Sequence, residues 1–256
     1  KVVEIHGQAQ FHPLKYVKGL LTEFIHSGGM ILENCRVTAA EKQGEGLKIS
    51  TTRGTLSGKH LVYATHIPPG RNIMHFRNAP YRSYAMALKL RNTPYPQALG
   101  YDMLDAYHYY RTHEIDGEEY LIVGGEDHKT GDIENNDECF LRLEEYVGRH
   151  FNIERVAYKW SSQYYEPADG LPSIGSLPGS PSNVYCATGY NGNGMIFGTL
   201  AAKTLSALIA RGNSPYKELF TPSRVKPVAA FSNIIKENAR PCPQTCRQEP
   251  HCSCAR

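Results

Sequence analysis

Residues 183–212 read NVYCATGYNGNGMIFGTLAAKTLSALIARG, in which an apolar run, a cluster of glycines and a longer apolar-rich segment follow one another. The apolar run from Val184 to Ala187 predicts a short buried strand, and the apolar residues after the glycines recur at helical spacing. Gly189, Gly192 and Gly194 lie between the two, where glycine can adopt positive φ and let a ligand approach the main chain. The free N–H groups and the positive end of the helix dipole favour an anionic group there. Because many α/β proteins contain the same strand–turn–helix, the glycines indicate a ligand only together with their flanks.

The composition is that of an ordinary globular protein. The 256 residues are enough for one large or two medium domains, and 41% are hydrophobic and 21% charged. A net charge of +3 is too small to indicate nucleic acid or an acidic membrane surface. No apolar run is long enough to span a bilayer. We therefore expect neither a nucleic-acid partner nor a membrane span.

The seven cysteines form two groups. Cys35, Cys139 and Cys186 are scattered in apolar patterns, which predicts reduced core residues and a cytoplasmic protein. The other four crowd the tail around His251, at Cys242, Cys246, Cys252 and Cys254. Their C-x3-C…H-C-x-C spacing fits neither a zinc site nor a Rieske cluster. We predict no metal site, and the alternative, a metal bound by the tail, is open to metal analysis.

The first seventy residues predict a mixture of helix and short strands. Lys1 to Ile5 is strand-like, and Pro13 to Ser27 is an amphipathic helix with an apolar stripe. A strand is expected from Met30 to Val37, followed by a small antiparallel meander, LKISTT and GTLSG. The run HLVYAT, residues 60–65, is typical of a buried parallel strand.

Residues 71–165 are rich in tyrosine and in strand-like segments, among them YAMALKL, AYHYYRT and EYLIVGG. Asn136 or Asp137 caps a predicted helix, and the strand ERVAYKWSSQYY follows it. The segment EPADGLPSIG then leads back to the first kind of architecture. The predicted class is therefore α/β (α+β), with a split domain at 1–70 and 166–224, an inserted antiparallel sheet at 71–165 and a C-terminal extension at 225–256.

This succession of motifs resembles the FAD-dependent oxidoreductases of the D-amino-acid oxidase and glycine oxidase superfamily over residues 1–224. The elements that carry the likeness are the strand at Val37, HLVYATH, the inserted sheet, DGLPSIG and GYNGNG. The resemblance implies FAD as cofactor and a Rossmann-like FAD-binding domain remnant at 1–70 and 166–224. It also implies that the sheet at 71–165 binds the substrate.

The resemblance assigns cofactor contacts to three places. The strand at Val37 runs past the adenine, and Ala64 and Thr65 lie beside the dinucleotide, with His66 in place of the usual glycine. The glycine turn and the helix after it face the pyrimidine end of the flavin, through Gly189, Gly192, Asn193, Gly194 and Met195. Backbone N–H groups at a helix start would stabilise the negative charge that a flavin acquires on accepting a hydride.

The sequence departs from the family at its beginning, because it lacks the strand–GxGxxG–helix that cradles the pyrophosphate. We expect the protein to contain an N-terminal segment of at least one βαβ unit that is missing from this chain. Without it, the chain alone should bind FAD weakly or not at all.

Candidate catalytic residues lie on the strand around Tyr109, Tyr110 and Arg111. Tyr109 and Arg111 should point to one face and Tyr110 to the other. Arg111 could bind a substrate carboxylate through two N–H bonds, with a tyrosine hydroxyl assisting. The alternatives are a solvated arginine and tyrosines that only pack in the sheet.

The segment GGEDHKTGD, residues 124–132, reads as a polar loop. Glu126, Asp127 and His128 could supply a metal or acid–base group, or the loop could be a simple turn. Asp169 is predicted to be a turn-former before Gly170.

Two functions follow from these patterns. The first is a flavoprotein that oxidises a small amine or amino acid by hydride transfer to FAD. The alternative is a non-catalytic binding or interaction module derived from such a flavoprotein. The glycine turn favours the first for the parent protein, whereas the lack of a dinucleotide fingerprint favours the second for this chain.

Overall fold

A computed structural model describes residues 3–224 of the chain. The chain divides into two compact units, Lys1–Leu61 and Val62–Arg256. Within residues 3–224, no helix combines the length and apolarity that a bilayer crossing requires. The C-terminal extension expected at 225–256, with its cysteine-rich tail, lies outside the described residues.

The first unit contains one helix and a three-stranded antiparallel meander. Its elements are α1 Pro13–His26, β1 Val37–Gln43, β2 Gly46–Thr51 and β3 Gly54–Gly58. Pro13 suits the first helical position because the N–H that it lacks would have no partner there, and the imidazole of His12 accepts from the N–H of Lys15 at 3.4 Å. The predicted helix and meander are confirmed. No residue of α1 is buried, so its whole apolar stripe is exposed.

The strand expected to end at Val37 in fact begins there, and Val3–Ile5 is not a strand. Both expectations were wrong. A turn at Glu33–Asn34, with Asn34 at φ +53°, interrupts the apolar run before Val37. Cys35, expected in the core, is partly exposed, whereas Cys139 and Cys186 are buried as predicted.

The second unit is built on a five-stranded antiparallel sheet of order β6–β7–β8–β5–β9. A four-residue helix, α2 Met74–Arg77, leads into its long central strand. The strands are β5 Asn78–Leu90, β6 Gly100–Tyr101, β7 Tyr109–Ile115, β8 Glu118–Lys129 and β9 Ile153–Pro167. Because β8 continues to Lys129, residues 124–129 are a strand and not the loop that their polarity indicated.

The helix α3, Asn136–Gly148, covers one face of this sheet, which we call the closed face. Asn135 caps it by accepting from the N–H of Asp137 at 3.1 Å. Its apolar residues pack against the even-numbered residues of β5 to form the larger core: Tyr84, Met86, Leu88 and Leu90 with Cys139, Leu143 and Val147. The odd-numbered residues of β5 lie on the opposite face, which we call the open face.

A second, three-stranded sheet of order β10–β11–β4 carries the longest helix. Its elements are β4 Leu61–Tyr63, β10 Ser173–Ser176, β11 Val184–Thr188, α4 Gly194–Arg211 and α5 Lys217–Phe220. Ile174 and Ala187 pack against Ala201 and Leu205 of α4. The predicted strand–turn–helix of residues 184–211 is confirmed. The run HLVYAT forms only a three-residue strand, and its Val62 is exposed rather than buried.

Asp169 anchors the end of the described chain. Its two carboxylate oxygens accept from the Arg224 guanidinium at 2.6 and 2.7 Å, and both side chains are about nine-tenths buried. It also accepts from the N–H of Leu171, as expected for a turn-former. Its role is therefore structural, although the partner Arg224 was not foreseen.

Candidate functional site

The glycine turn, residues 189–194, joins β11 to α4, and two of its three glycines have different requirements. Gly189 has φ +75°, and a Cβ there would lie 2.4 Å from the side-chain oxygen of the buried Asn78. Gly192 has φ +74°, but a Cβ there would meet no atom within 4 Å. Gly189 is thus required by packing, whereas Gly192 borders open space where a ligand can approach.

The start of α4 leaves backbone donors without a side-chain cap. Asn193 is the N-cap residue, but its amide donates to the carbonyl of Asn191 at 3.0 Å and caps no helix N–H. The first N–H groups of a helix have no partner within it. Residues 191–196 are all exposed. The N–H groups that open α4 are therefore open to a ligand with negative charge.

The end of β4 lies beside this turn. The buried hydroxyl of Thr188 donates to the carbonyl of His66, and the hydroxyl of Thr65 donates to the carbonyl of Ile67 at 2.8 Å. His66 has φ +62°, a conformation in which glycine is the usual residue. The structure thus brings Ala64 and Thr65 next to the glycine turn, and it retains a glycine-like backbone at His66.

The glycine turn also contacts the five-stranded sheet. The N–H of Asn191 donates to the carbonyl of Tyr165 at 3.1 Å, near the end of β9. The Tyr165 ring lies edge-on to the His66 ring at a centroid distance of 6.2 Å. Gly189 meets Asn78, the first residue of β5. The turn therefore lies at the edge of the sheet where β5 begins and β9 ends.

The open face near this edge is lined by tyrosines around a carboxylate. The Tyr164 hydroxyl donates to Asp127 Oδ2 at 3.0 Å and contacts Glu166 Oε1 at 3.3 Å. Burial raises the pKa of Tyr164, and the charges of Asp127 and Glu166 raise it further. Burial and then the charge of Asp127 likewise raise the pKa of Tyr107. These hydroxyls therefore stay protonated and can donate hydrogen bonds at neutral pH.

Tyr109 lies on the same face, flat against the sheet. A Cβ on Gly124 would lie 2.2 Å from its ring, so the ring occupies the space that this glycine leaves free. Burial raises the pKa of Tyr109, although a hydrogen bond with Ser83 opposes the rise. Tyr107 lies 6.1 Å from Tyr109 between ring centroids. Tyr109 thus forms part of the wall that the sheet presents.

The remaining predicted residues lie elsewhere. Tyr110 packs on the closed face, 5.6 Å from Phe151 between ring centroids, and so is not part of the open face. Arg111 shares the open face with Tyr109 and is level with Ala87 of β5. That position is about 30 Å along the strand from Asn78 at ~3.3 Å per residue. Val37 belongs to the other compact unit.

Sequence reasoning missed Tyr164 and Asp127 as neighbours, and it treated Glu126 and Asp127 as equivalent. Glu126 lies on the closed side, where it accepts from Arg142 at 2.7 Å and lies 3.2 Å from the His108 ring. Neighbouring residues of a strand point to opposite faces, so Glu126 and Asp127 cannot share one. The register of β5 and β8 shifts beside them, and this shift decides which of the two lies on the open face. In residues 3–224, no group of three or more His, Cys, Asp or Glu side chains is arranged to hold a metal.

Comparisons with known proteins agree on one family. The family model described as DAO, FAD dependent oxidoreductase, matches residues 2–208. A Bacillus subtilis (strain 168) protein, YhfW, whose name carries the words Rieske 2Fe-2S iron-sulfur protein, is 31% identical over 236 residues, 91% of this chain and 46% of its own length.

Solved structures show the same fold at lower identity. Glycine oxidase from Geobacillus kaustophilus is 18% identical with a TM-score of 0.60, over 78% of this chain and 55% of its own. L-proline dehydrogenase from P. horikoshii is 19% identical with a TM-score of 0.62, over 83% and 59%. The chain thus spans about half the length of the proteins that it matches.

The glycine turn fits the flavin end of FAD. It offers an exposed glycine with free space beside it, backbone donors at the start of α4, and a tyrosine-lined sheet face at its edge. The predicted α/β class with antiparallel sheets is confirmed, as is the resemblance on which the cofactor assignment was based. The chain belongs to the FAD dependent oxidoreductase (DAO) family, and FAD is the cofactor that this family indicates.

Proposed function

We propose that the protein containing this chain oxidises an amine or an amino acid, with FAD as the electron acceptor. The observation that carries the proposal is the hydrogen bond from Asn191 to Tyr165, which fixes the glycine turn at the edge of the tyrosine-lined sheet. A flavin held at the turn would have this sheet face beside it. The site residues proposed for the cofactor in the second unit are Ala64, Thr65, Gly189, Gly192, Asn193, Gly194 and Met195.

The chemistry requires the substrate to give up a hydride from the carbon next to its nitrogen. FAD, when bound, accepts that hydride with both electrons of the C–H bond. The nitrogen lone pair forms the second C–N bond, so a neutral amine becomes a protonated imine, which water can hydrolyse. Because the lone pair drives the step, the reacting nitrogen must be unprotonated, and no side-chain base needs to touch the carbon.

The chain contributes binding and electrostatics to this reaction. The N–H groups that open α4, from Gly194 onward, would stabilise negative charge at the pyrimidine end of the cofactor without reorganisation. Tyr109 and Tyr164 would form the wall that orients the substrate. Arg111 of β7 is on the correct face to bind a carboxylate. It is level with Ala87 of β5, however, and therefore lies far from the glycine turn.

We further propose that a segment of the same protein outside these 256 residues supplies the pyrophosphate cradle. The chain has no GxGxxG fingerprint and spans about half the length of its matches. The apolar stripe of α1 offers a surface for such a segment, since Leu14 is 74% exposed and Leu20 54%. Titration of FAD into the 256-residue chain should give weak binding, and submicromolar affinity would refute this part of the proposal.

The visible absorption spectrum of the complete gene product tests the proposed function. We expect flavin bands, and we expect these bands to bleach when an amine or amino acid is added without oxygen. If reconstitution with FAD gives no flavin spectrum, the chain is better explained as a non-catalytic module. A bound flavin that no amine or amino acid reduces would contradict the substrate class but not the cofactor.

A further inference from the structure

We propose that the open face binds the positively charged end of its substrate at Asp127 and Tyr164, and that the substrate is a diamine rather than an amino acid. The inference rests on the proposed function and narrows its substrate class. It is carried by the contacts of Asp127, by the aromatic side chains around it and by the sign of the charges near the glycine turn.

Asp127 is held in place on one side only. Its Oδ2 accepts from the Tyr164 hydroxyl at 3.0 Å. Its Oδ1 is buried and has no hydrogen-bond partner among the residues that the structure describes. A buried carboxylate oxygen without a partner is costly, and an ammonium group, which has three donors and a positive charge, is the complementary partner.

The surroundings of Asp127 suit a cation. Its charge affects the pKa of Tyr107, Tyr109 and Tyr164, so all three lie near it. Tyr81 lies 6.0 Å from Tyr164 between ring centroids. Electron-rich tyrosine faces attract ammonium groups. A carboxylate surrounded by such rings can bind a cation through an ion pair with the carboxylate and through cation–π contacts with the rings.

The same arrangement disfavours a substrate carboxylate near the turn. Glu166 Oε1 also contacts the Tyr164 hydroxyl, at 3.3 Å, so two carboxylates lie beside this tyrosine. A third carboxylate would be repelled by both. Tyr164 is level with Tyr81, about 10 Å along β5 from Asn78 at ~3.3 Å per residue. Tyr164 and the carboxylates beside it are therefore much closer to the glycine turn than Arg111 is.

The chemistry then requires two nitrogens. A nitrogen bound to a carboxylate remains protonated, whereas the nitrogen that is oxidised must be neutral. One amine cannot meet both conditions at once. The nitrogen at Asp127 is therefore a second amine, and an aliphatic diamine has both groups without the carboxylate that Glu166 and Asp127 would repel.

The test compares 1,4-diaminobutane with D- and L-ornithine, which differ from it only by the α-carboxylate. Binding to the flavin-loaded complete gene product is measured by isothermal titration calorimetry, and flavin reduction is followed anaerobically in parallel. We expect 1,4-diaminobutane to bind at least about tenfold more tightly than either ornithine, since a charge-assisted hydrogen bond is gained and a repulsion avoided.

Variants identify the residues responsible. Asp127→Asn should weaken 1,4-diaminobutane binding at least about tenfold, and Tyr164→Phe, which only removes the hydroxyl that positions Asp127, a few-fold. Asp116→Asn is the matched control. It removes the same charge from an exposed turn residue whose φ of +51° asparagine also tolerates, so binding should not change.

Each outcome decides the inference. Tighter binding of the diamine that is lost in Asp127→Asn supports it, even if no amine reduces the flavin, in which case only the proposed oxidation fails. Equal or tighter binding of ornithine, no binding of the diamine, or unchanged binding by Asp127→Asn overturns it. Reduction of the flavin by ornithine alone would overturn it and leave the proposed oxidation intact.

Discussion

The two faces of the five-stranded sheet differ in what their side chains contact. On the closed face, Tyr84, Met86 and Leu88 are almost completely buried and pack against α3. On the open face, Trp160 and Tyr158 remain 46% and 62% exposed. Because neighbouring residues of one strand point to opposite faces, the same strands serve both purposes.

Polar groups show the same contrast. On the closed side, Asp102 is fully engaged: it accepts from the backbone and ring of His108 and from the Tyr146 hydroxyl, each at 2.9 Å. On the open side, Asp127 has one oxygen without a partner among the described residues. The closed-face carboxylate is therefore fully paired, whereas the open-face carboxylate keeps one oxygen without a partner among the described residues.

The largest effect should come from the closed-face core. Leu143→Ala removes a completely buried side chain and should lower the free energy of unfolding by about 2–5 kcal/mol. Trp160→Ala on the open face should cost less despite the larger deletion, because the side chain is partly exposed. Chemical denaturation measures both. A Trp160→Ala loss as large as that of Leu143→Ala would contradict the division of roles.

Substitutions at Gly189 and Gly192 of the turn should distinguish a packing role from a binding role. Gly189→Ala forces a Cβ against Asn78 and should cost about 3 kcal/mol, whereas Gly192→Ala meets no atom and should cost about 1 kcal/mol, from its positive φ alone. Gly192→Ala should nevertheless weaken FAD binding in the complete protein. Unfolding and FAD titration are measured on the same samples, and a Gly192→Ala variant with wild-type affinity would remove the turn from the cofactor site.

Acid should weaken the closed face through Asp102. Burial alone would raise the pKa of this carboxyl, but the hydrogen bonds from His108, Leu104 and Tyr146 outweigh it and lower the pKa from 3.8 to about 2. The stability that Asp102 contributes, at most about 2 kcal/mol, is complete above about pH 4 and is lost as the pH falls towards 2.

The measurement is the difference in unfolding free energy between wild type and Asp102→Asn, taken from pH 5 to pH 2. We expect this difference to shrink with falling pH. Tyr146→Phe, which removes one of the hydrogen bonds, should keep most of the pH dependence. A difference that is constant with pH would show that Asp102 is not held as described.

The smallest effect on stability is expected at the open face. Asp127→Asn removes a charge from a carboxylate whose Oδ1 is unpartnered, so the free energy of unfolding should change by less than about 1 kcal/mol or increase. Denaturation of the variant beside wild type measures it. A loss as large as that of Leu143→Ala would make Asp127 a structural residue.

The sequence predicted the elements whose signals are local. The helix α4 and the strand β11 followed from apolar periodicity and glycines, and the alternation of Tyr109 and Tyr110 followed from strand geometry. Residues 124–129 are a strand because they pair with the distant strand β5, and this pairing has no local signal, so polarity alone suggested a loop. The pairing of Asp169 with Arg224 across 55 positions likewise has no local signal.

Sequence also fails where burial depends on more than one element. The apolar stripe of α1 predicted a buried face, yet no residue of α1 is buried in the structure. Periodicity shows that a face is apolar, but it does not show what covers that face. The same limit applies to β4, whose apolar run predicted a buried strand although Val62 is exposed.

A crystal structure of the flavin-loaded complete protein would show where the flavin lies relative to α4. We expect the pyrimidine end of the flavin to accept hydrogen bonds from the N–H groups at Gly194 and Met195, with the ring facing Tyr109 and Tyr164. A flavin bound away from the start of α4, or with its ring turned from the open face, would show that the glycine turn is not the flavin site.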